Sequence, residues 1–111
     1  MGSAKLVELS MENVSEFIES NRVAILDFWG SDCGVCVAML PVLEGFASEW
    51  EGVAALGKFC VDGVWEEVSE RFGILGTPSF IVYRDGKEVD RTIGFHGNKT
   101  LSWMRELIEK G

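Results

Sequence analysis

Apolar and polar positions along this chain follow two rhythms, one of period two and one of helical period. Residues 5–9 form a short strand candidate. Val14, Phe17 and Ile18 then recur on one face of a helix predicted over about 11–20, with Ser10 placed to cap it. Arg22 is followed by Val23-Ala24-Ile25-Leu26-Asp27-Phe28-Trp29, an almost unbroken apolar and β-branched run. Such a run reads as a strand buried on both faces, the mark of a parallel sheet. Gly30-Ser31-Asp32 is a tight loop. A long helix is predicted from about Cys33 to Trp50, striped by Val37, Leu40, Leu43, Phe46 and Ala47. Pro41 lies inside it, removes a backbone donor and predicts a kink.

Residues 53–61 read as another strand, and 64–72 as a helix with Trp65, Val68 and Phe72 inward and Gly73 at its C-terminal cap. Two runs, 79–83 and 87–93, flank Arg84-Asp85-Gly86, and Asp-Gly between strands is a strong hairpin signal. A last amphipathic helix spans about 98–110, with Leu101, Met104, Leu107 and Ile108 inward. The order β-α-β-α-β-α-β-β-α predicts an α/β fold with a mixed sheet and helices on both faces. At 111 residues, without repeats or linkers, the chain reads as one domain, 1–111.

Composition narrows the function classes. Apolar residues make up 47% of the chain, which excludes a disordered segment. Ten basic residues against eighteen acidic ones give a formal net charge of −8, and no Lys/Arg cluster supplies the basic face a nucleic-acid binder needs. No apolar run approaches the ~18 residues of a membrane span. The N-terminal stretch acquires acids early and does not read as a secretory signal, so a cytoplasmic location is the expectation.

Three cysteines are too few, and odd in number, for a disulfide scaffold. Cys33-Gly34-Val35-Cys36 instead places a C-x-x-C where a loop opens a helix. Unpaired N–H groups at a helix start stabilise an anion, so the Cys33 thiolate should form readily. Cys36 lies about one turn on, within disulfide reach, and suits the role of resolving thiol. A zinc site would need Cys60 and His96 to complete four ligands, but neither has paired spacing, and no metal is expected. Asp27 interrupts an apolar strand, where a lone carboxylate is costly and calls for a partner or a purpose. Lys58 and Asp62 share one face of the 53–61 strand and its extension.

The segment from Asp27 to Cys36, Pro41, the run Gly73-Ile74-Leu75-Gly76-Thr77-Pro78, and Gly86 and Gly94 together resemble the thioredoxin family over nearly the whole chain. The resemblance implies the thioredoxin fold, with a four- to five-stranded sheet. It implies a protein-disulfide reductase that carries no bound cofactor beyond the redox-active Cys33–Cys36 disulfide. Its partners would be disulfide-containing clients and an NADPH- or ferredoxin-linked thioredoxin reductase, with a monomer as the default state.

The resemblance also distributes roles. Asp27 would accept a proton from Cys36, Lys58 would pair with Asp27, and Asp62 would hold the indole N–H of Trp29. Pro78 would follow a cis peptide and set the Thr77 backbone opposite Cys33. Trp29, Val61, Thr77, Pro78, Gly94 and Phe95 would form a shallow docking surface, while His96 is assigned no catalytic part. Cys60 reads as a small buried hydrophobe or a regulatory thiol.

Three positions depart from the family pattern: Asp32 where Trp is common, Val35 where Pro is common, and Val37 where a basic residue is common. Asp32 and the loss of a base disfavour the Cys33 thiolate, whereas Val35 restores a backbone donor that favours it. These effects oppose one another and leave the direction of electron flow open. A thiol oxidase or isomerase, or a non-catalytic binding module on the same scaffold, are the alternatives.

Overall fold

A computed structural model describes residues 6–110. Lys5, where the first strand was expected to begin, lies outside them. The elements are β1 (Val7–Leu9), α1 (Val14–Ser20), β2 (Val23–Trp29), α2 (Gly34–Ala38), α3 (Leu40–Glu49), β3 (Ala55–Cys60), α4 (Trp65–Phe72), β4 (Ser79–Arg84), β5 (Lys87–Ile93) and α5 (Asn98–Glu109). They form a mixed five-stranded sheet of order β1-β3-β2-β4-β5. β3 runs parallel to both β1 and β2, whereas β4 runs antiparallel to β2 and to β5.

The continuous apolar run of β2 is explained by its place beside β3 and β4, covered on both faces. Val23 and Ile25 join Leu43 and Phe46 of α3 and Met104 and Leu107 of α5 in one cluster. Ala24, Leu26 and Phe28 join Phe17 of α1 and Val68 and Phe72 of α4 in the other. This is the strand alternation of period two, with an apolar layer on each side. The β4–β5 hairpin closes through Asp85 and Gly86, whose φ values of 53° and 82° are the left-handed pair a two-residue turn demands.

Three local expectations are corrected. The long helix is two helices, α2 and α3, meeting at Met39, with Pro41 in the first turn of α3. A proline lacks the N–H that would continue the ladder, and it fits best where a helix starts. Val37 consequently faces solvent, and Met39 takes the inward place. Trp65 is exposed, because it opens α4 before that helix settles onto the sheet at Val68. α1 begins at Val14, after a turn in which the Ser10 N–H bonds to the Asn13 carboxamide oxygen at 2.8 Å.

Candidate active site

The carboxyl ends of β2 and β3 place the chemistry. β2 delivers Trp29, the loop 30–32 turns the chain, and Cys33 occupies the cap position of α2. Cys33 and Cys36 are disulfide-bonded, with Cα atoms 5.2 Å apart. The Cys36 N–H donates to Cys33 Sγ at 3.3 Å, so the helix start offers a donor to the sulfur that would carry charge on reduction. The two sulfurs are not equivalent: Cys33 is partly exposed and Cys36 is fully buried. Across from Cys33, the Thr77 carbonyl oxygen lies 3.8 Å from its sulfur, and the Thr77–Pro78 peptide is cis.

Gly94 closes this corner. Its N–H donates to the Pro78 carbonyl at 2.7 Å, its φ is 88°, and a Cβ there would lie 2.9 Å from His96 Nε2. Only glycine meets both demands without displacement. Pro78 is buried, while Trp29, Thr77, Gly94 and Phe95 are partly exposed around the sulfur. Val61 is 8% exposed and packs mainly into the α1–α4 layer, so it offers only an edge.

Asp27 is 3% exposed, and neither carboxyl oxygen has a hydrogen-bond partner among the described residues. Its place in β2, two residues from Ile25, puts it on the face shared with Cys36. Burial pushes its pKa from 3.8 up to about 7, and the positive charge of Lys58 opposes part of that rise. Lys58 stands in register with Asp27 on β3, but its ammonium lies over the Trp29 ring, 5.9 Å from the centroid. The pairing expected of Lys58 and Asp27 is therefore an electrostatic influence without a hydrogen bond.

Asp62 also differs from expectation. The Trp29 indole N–H finds no partner among the described residues, and the Asp62 carboxylate instead accepts from Ser31, through the backbone N–H at 3.3 Å and through a short bond from the hydroxyl. Ser31 is the leading cause of that carboxylate's lowered pKa. A short hydroxyl in the loop outcompetes the indole because it reaches Asp62 together with its own N–H. Cys60, expected as a small buried hydrophobe, is only partly buried. Ser31 is the residue that sequence reasoning missed: it was read only as part of a turn. Among the described residues no group of three His, Cys, Asp or Glu side chains is placed to hold a metal.

A partly exposed and a buried cysteine, joined at a helix start on the sheet face that also carries a buried carboxyl group, make a centre for thiol–disulfide exchange. Known proteins make the assignment specific. The thioredoxin family model matches residues 5–108. A thioredoxin of Staphylococcus saprophyticus is 34% identical over 105 residues, covering 95% of this chain and 96% of that protein. The solution structure of oxidised thioredoxin from Plasmodium falciparum superposes with a TM-score of 0.77 at 29% identity, covering 95% of this chain and 96% of the other. Thioredoxin f2 of Chlamydomonas reinhardtii shares the fold with a TM-score of 0.85 at 19% identity, covering 96% and 99%. The chain belongs to the thioredoxin family and is a thiol–disulfide oxidoreductase.

Proposed function

We propose that this protein, as a single domain, reduces disulfides of client proteins in the cytoplasm and is itself recharged by an NADPH- or ferredoxin-linked thioredoxin reductase. The observation that carries this reading is the asymmetry of the pair, with Cys33 partly exposed and Cys36 fully buried. The Cys33 thiolate attacks one client sulfur, forming a mixed disulfide and releasing the other client sulfur as a thiolate. Cys36 then loses its proton to Asp27, attacks Cys33 Sγ and expels the second client thiolate. Two electrons pass from the dithiol to the client, and the Cys33–Cys36 disulfide remains. The raised pKa of Asp27 suits a group that takes and returns a proton near neutrality. Trp29, Thr77, Pro78 and Gly94, with the edge of Val61, form the surface on which an extended client segment pairs with the Thr77 backbone.

The test joins a potential to a turnover. The Cys33–Cys36 couple is equilibrated against glutathione, and insulin reduction is followed beside it. A potential near about −270 mV with turnover supports the reductase; one between about −180 and about −120 mV moves the assignment to an oxidase or isomerase. Cys36→Ser should accumulate a mixed disulfide with the client, visible as a mass adduct. Cys33→Ser should accumulate none.

A further inference from the structure

Two carboxylates flank the loop that leads into Cys33. Asp62 is exposed and tied to the loop by the two Ser31 hydrogen bonds, and Asp32, also exposed, is the next residue along that loop and the one before Cys33. The Asp62 carboxylate stands close to the docking surface. A methyl group placed on Gly30 would lie 3.5 Å from Asp62 Oδ1, 3.7 Å from Val61 Cγ2 and 3.9 Å from Thr77 Oγ1. Lys58, whose ammonium lies over the Trp29 ring 5.9 Å from the centroid, is one cation against these two carboxylates. The overall charge of −8 has the same sign, so the local field and the long-range field act together on an approaching client.

We propose that Asp32 and the Ser31-anchored Asp62 make this protein select client disulfides whose cysteine is flanked by basic side chains. The proposal rests on the exchange chemistry of Cys33 and deepens it by naming the client class. Charge complementarity at such a rim acts mainly on the rate of encounter and weakens with salt. Ser31 fixes Asp62 in place, so its charge is presented without the cost of ordering a free side chain.

The experiment uses two disulfide-linked peptides, identical except that Lys or Glu flanks the cysteine. Exchange with the full-length protein is followed in both directions, as peptide reduction and as dithiol oxidation. The ratio of kcat/KM for the Lys peptide over the Glu peptide should be about tenfold at low salt and fall towards unity at about 0.5 M salt. Asp32→Asn with Asp62→Asn should cut the ratio at least about threefold. The amide oxygen of Asp62→Asn can still accept from Ser31, so the loop keeps its anchor while the charge is removed. Equal rates for the two peptides, or a preference that survives the double substitution, overturns the proposal and leaves the exchange chemistry standing. Absence of exchange with either peptide overturns the exchange chemistry, and the proposal with it.

Discussion

Asp27 and Asp62 belong to the same half of the sheet, at the carboxyl ends of adjacent strands, yet their surroundings drive them in opposite directions. Asp27 lies on the sheet face that Cys36 packs against, with no hydrogen-bond donor among the described residues and a pKa raised to about 7. Asp62 lies at the rim, fully exposed, with two donors from Ser31 and a pKa pushed down. Desolvation penalises charge in the first, and hydrogen bonding to the anion favours it in the second. The inner group can change protonation near neutral pH. The outer one stays charged and is suited to recognition.

Replacing Asp27 breaks that contrast most strongly. Its folded-state pKa lies above its unfolded value, so the folded chain holds the extra proton between about pH 4 and pH 7. Stability should fall as pH rises through that window and stay low above it. The difference between Asp27→Asn and the parent should therefore grow in favour of the variant by about 4 kcal/mol from about pH 3 to about pH 8, at about 1.36 kcal/mol per pKa unit. Urea unfolding of the oxidised proteins at the two pH values reads it, and a pH-independent difference would show that Asp27 does not titrate high.

A smaller effect sharpens the contrast from the neighbouring strand. Lys58→Met removes the charge that holds the Asp27 pKa down, so the carboxyl carbon resonance of Asp27 should titrate above about 7. A midpoint that moves down, or stays put, would mean that the cation over Trp29 does not reach Asp27. The smallest effect belongs to the rim. Asp62→Asn keeps an acceptor for Ser31 at an exposed site, so its denaturation midpoint should match the parent at neutral pH. A clear drop would give Asp62 a structural share that its exposure does not suggest.

Much of this arrangement was legible in the order of residues. The unbroken run 23–29 announced a strand covered on both faces, Asp85-Gly86 its hairpin, and Asp27 an anomaly worth a carboxylate's desolvation. C-x-x-C at a helix start announced the exchange centre. What escaped were competitions between side chains for one partner. Whether Asp62 meets the indole of Trp29 or the hydroxyl of Ser31 depends on loop geometry, which composition and spacing do not encode. Lys58 likewise has two attractions, a carboxyl group and an aromatic face, and register alone does not choose between them. The break at Met39 was foreshadowed by Pro41, but residue patterns place such a break only to within a turn.

The two apolar layers have unequal duties. Cys36 belongs to the α3–α5 layer, against which Trp29 and Phe95 also pack, while the α1–α4 layer contains neither cysteine of the disulfide. Drift in Val14, Phe17, Val68 or Phe72 therefore adjusts how firmly the molecule holds together while leaving the reactive side of the sheet untouched. An engineer seeking a hardier version, or a lineage adapting to heat, can rewrite that side of the sheet, short of Val61 at the edge of the docking surface, before the chemistry is put at risk.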